Sequence, residues 1–308
     1  MTSAAPDILG LGCTAIDDLV YVGEFPAPDS KIQVRSRERH CGGITATALV
    51  AAARLGSSCV FAGVLGEDEL SRFVIERFEK EGVSTKHIRH RPEARPIHAI
   101  IIVDEVRKTR TILYDLEGAF GAEPDWPGEE LIRSCRVLFV DHFGMEGMIR
   151  AAKVARSAGN AVVADLEDCQ HPRFSELLPL VDHLVLSRDF AARLTGRNDP
   201  AESVRALHTR AHQAVVVTAG ARGCWYLGPT GSAHPSHQPA FEVETIDTTG
   251  CGDVFHGTYA SALARGLDLR ARIRFASAVA ALKATKRGGQ AGIPDRPTVE
   301  EFLYSRSH

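Results

Sequence analysis

The chain has 308 residues, 44% of them hydrophobic, with 36 Lys and Arg against 39 Asp and Glu and a formal charge of −3. That length suits one large α/β domain with a full core, and the near-balanced charge argues against a nucleic-acid polyanion as partner. Seven cysteines (13, 41, 59, 135, 169, 224 and 251) are odd in number and lack a C-x-x-C pair, which is the usage of reduced cytosolic proteins. The N-terminus lacks a basic and apolar leader, and no apolar run approaches the roughly 18 residues of a membrane span, so a cytoplasmic protein with no membrane partner is expected.

In chain order, DILGLG (7–12) reads as a first buried strand. The segment from Gly10 to Ala15 matches the G-x-G-x-x-A dinucleotide fingerprint, but that fingerprint must open a helix. Here Asp17-Asp18 is followed by LVYVGEFPAP, β-formers and two prolines, which sets the nicotinamide alternative aside. Lys31–Arg37 (KIQVRSR) alternates apolar and polar residues, the pattern of a strand with one wet face. Gly42-Gly43 then open a helix, ITATALVAAARLG, that ends at Gly56; glycines there let backbone approach a ligand. CVFAGVLG (59–66) is the next strand and Glu69 to Glu81 the next helix, and Ile97–Val103 with Thr109–Tyr114 reads as a hairpin turning at Glu105–Lys108.

VLFVD (137–141), AVVADLE (161–167), HLVLS (183–187) and AVVVTAG (214–220) are continuous apolar runs, each followed by a helical or turn segment. Such strands are covered on both faces, hence a largely parallel sheet. The C-terminal third reads as helices at Gly252–Arg265, Leu269–Thr285 and Thr298–Tyr304.

Between them lies the most informative stretch, IDTTGCGDVFHGTY (246–259), read as a strand end at Val243–Ile246, a polar turn and a helix starting near Gly252. Gly250 and Gly252 bare N–H groups at a helix start, where donors lack partners and the dipole is positive, so the terminus binds phosphate. Asp253 is a carboxylate among donors meant for an anion, which suits a general base beside a phosphoryl group. The plainer account is an aspartate favouring the helix dipole. Asp17, just past the first strand, offers two acceptor oxygens to adjacent hydroxyls. Thirteen histidines show no metal spacing: His234 and His237 read as solvated, His142 as facing the pocket and His256 as packed.

DTTGCGD, with Gly42-Gly43 heading its helix, resembles the two signatures of ribokinase-like (PfkB) carbohydrate kinases, over nearly the whole chain from Ile8 to Pro294. PDSKIQV and TRTILYD are similar to ketohexokinase, while HQPAF, DTTGCGDVFHG, RFAS and GGQAGIP are similar to sulfofructose kinase. The resemblance implies an α/β fold, a ribokinase-like three-layer αβα sandwich with a mostly parallel central sheet. It further implies one domain over 1–308 with a small β lid inserted at about 13–37 and 96–115, through which many members form homodimers. The implied reaction is transfer of the γ-phosphoryl group of ATP to a sugar hydroxyl, with Asp253 as base and the amides of Gly250, Cys251, Gly252 and Asp253 as anion hole.

On the sugar side the resemblance implies Asp17, Gly42, Gly43 and Thr47, with Ile44 standing where relatives bind sugar through asparagine. Lys31 matches a sulfonate-binding lysine, but Tyr114 and Phe143 replace the accompanying asparagine and arginine. A neutral ketose or furanose is therefore expected over a sulfonated sugar, while Lys31 and Arg95 keep a phosphorylated or acidic one open. Arg110 is implied to face the transferred phosphate. Thr218, Gly220, Gly223, Thr249, Ala281 and Gly289 are implied at the nucleotide, with Ala278–Gly289 walling the adenine. The family's N-x-x-E element falls on SRDF (187–190) and lacks both residues, so Mg²⁺ is expected on ATP oxygens and water with help from Asp165 or Glu167. Asp247 and Thr249, with carbonyls near Gly288–Gly289, correspond to the K⁺ site of some relatives. A catalytically inactive sugar-binding regulator and a kinase for a nucleoside or other alcohol remain alternatives.

Overall fold

The computed structural model describes residues 5–107, 109–118, 121–229 and 234–306. Its strands are β1 (Ile8–Leu11), β2 (Ala15–Val22), β3 (Ser36–Gly42), β4 (Cys59–Phe61), β5 (Val64–Leu65), β6 (Val83–Ser84), β7 (Arg89–His90), β8 (Ile97–Asp104), β9 (Thr109–Asp115), β10 (Val137–Val140), β11 (Ala161–Asp165), β12 (His183–Ser187), β13 (Ala214–Thr218), β14 (Cys224–Leu227) and β15 (Ser236–Gln238). Its helices are α1 (Ile44–Arg54), α2 (Glu69–Lys80), α3 (Glu129–Ser134), α4 (Met145–Ser157), α5 (Phe174–Leu177), α6 (Arg188–Thr195), α7 (Pro200–Leu207), α8 (Cys251–Ala264), α9 (Leu269–Ala284) and α10 (Arg296–Tyr304).

The main sheet runs β15-β14-β13-β12-β11-β10-β1-β4-β6, parallel throughout except where β14 and β15 turn back. Adjacent residues of the apolar runs face opposite ways. Leu138, Val140, Val162, Ala164, Leu184 and Leu186 pack under α3 to α7, while Val137, Phe139, Val163 and Val185 pack under α1, α8 and α9. That is the three-layer α/β architecture expected.

A second sheet, β3-β2-β8-β9, is built from the segments where a β lid was expected, with β2 and β8 parallel and the outer pairs antiparallel. The predicted hairpin is β8–β9, although Lys108 of its turn lies outside the described residues. Three sequence expectations are corrected. Lys31–Val34 is irregular, with Lys31, Ile32 and Gln33 exposed and Val34 half-buried; the strand is the charge-rich Ser36–Gly42 instead, because its pairing Ala15↔Gly42 delivers the glycine pair to α1. CVFAGVLG divides into β4 and β5, which belong to different sheets. Val243–Ile246 is not a strand: the amides of Ile246 and Asp247 donate to the Ala284 carbonyl at 2.8 and 3.1 Å, so this segment pairs with the end of α9.

Among the described residues, no helix is long and apolar enough to cross a membrane.

Candidate active site

Helix starts divide into two kinds. Asp68, Asp268 and Asp295 cap α2, α9 and α10 by accepting backbone N–H groups, the usual way to satisfy a first turn. By contrast α1 and α8 start from Gly43 (φ 92°) and Gly250 (φ 73°) with no side-chain cap. The left-handed backbone at Gly250 requires glycine, and a side chain there would also press on Gly289, 3.1 Å away. The Cys251 N–H already donates to the Thr248 carbonyl at 3.1 Å, so Cys251 is not a free donor of the anion hole. The free amides at this start are those of Gly250, Gly252 and Asp253, which have no acceptor among the described residues.

Asp253 stands in that first turn, half-exposed by surface area but densely surrounded. Burial and the carboxylates of Asp165, Glu167, Asp141 and Asp17 hold its carboxyl well above the ordinary range. Asp165, buried at the end of β11, is raised for the same reasons, with Glu167 and Asp141 as its neighbours. Its Oδ2 lies 3.0 Å from His256 Nδ1. His256 is indeed packed: its ring nitrogens sit 2.7 Å from the Gly252 carbonyl and 2.8 Å from that of Val185, which ties α8 to β12. Asp141, unmarked by any sequence motif, binds the amides of Cys13 and Phe143 and the Thr45 hydroxyl, fixing β10 to the start of α1.

A cavity of about 440 Å³ opens between the second sheet and the turn before α8. Period-two alternation along β2 sends Asp17, Leu19 and Tyr21 into it. Asp18 faces the other way, where Arg39 and His98 bind it; it is ion-paired rather than merely solvated. Burial raises the Asp17 carboxyl, partly offset by His40 and Arg110. Arg110 reaches from β9 to the Thr249 hydroxyl, bridging the second sheet and the turn before α8. Thr249, Asp247 and Gly289 also line the cavity, as do Arg287 and His40, which sequence reasoning missed. Asp253 lies beyond this lining, with the Asp17 carboxylate the weakest of the charges that raise it.

Other expected residues are placed differently. Lys31 is in an exposed loop and Tyr114 is 67% exposed on β9; neither lines the cavity, nor does Phe143, which is half-buried against His142. The Thr47 hydroxyl is buried and accepts from Gln290 at 3.3 Å, so it ties α1 to the C-terminal loop. Arg95 pairs with Glu117. Gly42 adjoins Asp17: a side chain there would sit 2.8 Å from Asp17 Oδ2. Thr218 ends β13 with its hydroxyl on the Leu186 carbonyl at 3.3 Å. Gly220 and Gly223 form the turn into β14, and Ala281 is half-buried on α9. Where the N-x-x-E element is absent, Ser187 caps α6 by accepting from the Phe190 amide.

The model of the pfkB family of carbohydrate kinases matches residues 7–296. The chain belongs to that family. This kinase is 29% identical over 300 residues to the ribokinase of Haemophilus influenzae, covering 95% of this chain and 97% of that one. A candidate ribokinase from Agrobacterium tumefaciens superimposes with a TM-score of 0.88 at 29% identity, covering 98% and 99% of the two chains. Arabidopsis thaliana ribokinase, solved with ribose and ATP, shares the fold at a TM-score of 0.86 and 24% identity over 97% and 99%. The kinase is an ATP-dependent phosphotransferase acting on a sugar, and kinases of this type use ATP with Mg²⁺.

Proposed function

We propose that the kinase phosphorylates a small neutral sugar, a ketose or related furanose, with Asp253 as general base and the α8 start as anion hole. The observation that carries this is the pairing of Asp17, a cavity-facing acceptor beside Gly42, with the uncapped glycine start of α8 across the cleft. Asp253 takes the hydroxyl proton while the free amides of Gly250, Gly252 and Asp253, helped by Arg110, stabilise charge on the moving phosphoryl group. Thr218, Gly220, Gly223 and Ala281 flank the nucleotide. Mg²⁺ bound to ATP oxygens would neutralise phosphate charge, and the carboxylates of Asp165 and Glu167, close enough to raise Asp253, suit it through water. The exposed Ile100 and Leu113, paired in register on the lid, support homodimer contact through that sheet, in a cytoplasmic enzyme.

With Lys31, Tyr114 and Phe143 outside the cavity lining, discrimination falls to the lining itself, where Asp17, Asp104, Glu105 and Asp247 outnumber Arg110 and Arg287 and so disfavour an anionic head. Side-by-side kcat/KM values for ribose, fructose, fructose 6-phosphate, sulfofructose and a nucleoside are expected to favour a neutral sugar by at least about tenfold, some 1.4 kcal/mol. A tenfold preference for an anionic sugar or a nucleoside would overturn the assignment. Asp17→Ala is expected to raise KM for that sugar by about tenfold or more, the loss of charged hydrogen bonds of about 1.5–3 kcal/mol. Its KM for ATP should barely move; equal effects on both substrates would make Asp17 structural.

A further inference from the structure

Lys283 stands in the last turn of α9, in the run AALKAT, with its side chain fully buried. A buried ammonium is tolerated only with charge and hydrogen-bond partners. Its Nζ donates to the Asp247 carbonyl at 2.8 Å, at the head of the turn that delivers Gly250 and α8. Burial pulls its pKa below the ordinary lysine value, while Cys251, Asp247 and Asp253 favour the charged form.

The same turn was expected to hold a monovalent cation, and its oxygens do not fit one. Asp247 Oδ1 accepts from the Thr249 amide and Oδ2 from the Gly288 amide, at 2.8 and 2.9 Å. Thr249 Oγ1 accepts from Arg110, and the Asp247 carbonyl accepts from Lys283. These four acceptors already face N–H donors, and two fixed cations, Lys283 and Arg110, already stand at the turn. A free ion there would add repulsion.

We propose that the Lys283 ammonium is the built-in cation of the anion-binding turn, replacing an exchangeable monovalent ion. It acts as a positioning residue: it holds the Asp247 peptide, and so the turn before α8, and it places positive charge beneath the phosphoryl site. This rests on the turn's role as anion hole set out above.

The test compares wild type, Lys283→Met and Lys283→Ala in KCl and in tetramethylammonium chloride at equal ionic strength. Turnover with MgATP and the preferred sugar is measured, together with calorimetric affinity for Mg²⁺ and adenylyl imidodiphosphate. Wild-type turnover and affinity should differ by less than about twofold between salts, meaning negligible coupling to K⁺; a larger K⁺ effect overturns the proposal. Lys283→Met should lose at least about tenfold in turnover in both salts, and a smaller loss overturns it. Folded Lys283→Ala should regain about threefold or more on adding KCl or methylammonium chloride but not tetramethylammonium, because only a small cation fits the vacated volume. A folded variant without such rescue would make Lys283 a packing residue. If the variants do not fold, the wild-type salt comparison decides. If no sugar is phosphorylated, the substrate assignment fails, while the nucleotide affinity in the two salts still tests Lys283.

Discussion

Asp253→Asn is expected to lower kcat by at least roughly 10²-fold, the usual scale for a lost general base, while leaving affinity for MgATP within a few-fold. The substitution keeps size and hydrogen-bonding geometry, so the loss would report proton transfer. Near-wild-type turnover would remove Asp253 from the mechanism. The wild-type pH profile should carry an acidic limb above the range of an ordinary carboxylate, because burial and the carboxylates of Asp165, Glu167, Asp141 and Asp17 raise its pKa. A raised folded pKa also has a stability consequence. The folded protein then holds the proton more tightly than the unfolded chain, so this group's contribution is complete below the unfolded pKa and is lost as pH rises through the folded one. At neutral pH Asp253 therefore burdens the fold, and Asp253→Asn should melt no lower than wild type there. A clear drop in Tm at neutral pH would show that Asp253 serves structure instead.

Gly257→Val is expected to have the largest effect on stability. An added Cβ at Gly257 would meet the Ala48 carbonyl oxygen at 2.0 Å, a backbone atom that can only yield if α1 and α8 separate. Overpacking of this kind costs about 3 kcal/mol or more, a fall in Tm of roughly 6 °C or more for a chain of this size. Because α1 and α8 start at Gly43 and Gly250, their separation should also raise KM for the sugar and for ATP together, unlike Asp17→Ala. A Tm within about 2 °C of wild type would show that the helices are not locked at this contact.

Much of this was legible in local chemistry. Buried strands such as VLFVD and AVVVT declared themselves by continuous apolar runs, and the helix α8 by its G-C-G-D start. Intervals of 22 to 31 residues between the starts of VLFVD, AVVADLE, HLVLS and AVVVTAG leave room for a crossover helix each time, as a parallel sheet requires. The sequence by itself thus determined the layer architecture and the glycine start of α8, because each depends on neighbours a few residues away. Tertiary structure decided the rest. That the second-sheet strand is SRERHCG rather than KIQVRSR follows from pairing with β2, and that Ile246 bonds to the end of α9 follows from helix packing. Lys283 and Asp141 look unremarkable in an apolar helix and after an apolar strand. They acquire meaning only because residues 36 positions away (Asp247) and 96 positions away (Thr45) fold against them. Likewise Tyr114 and Phe143 keep the right sequence positions yet miss the cavity, since a side chain's direction relative to a cleft is set by how whole sheets sit on one another, a long-range property that no local pattern encodes.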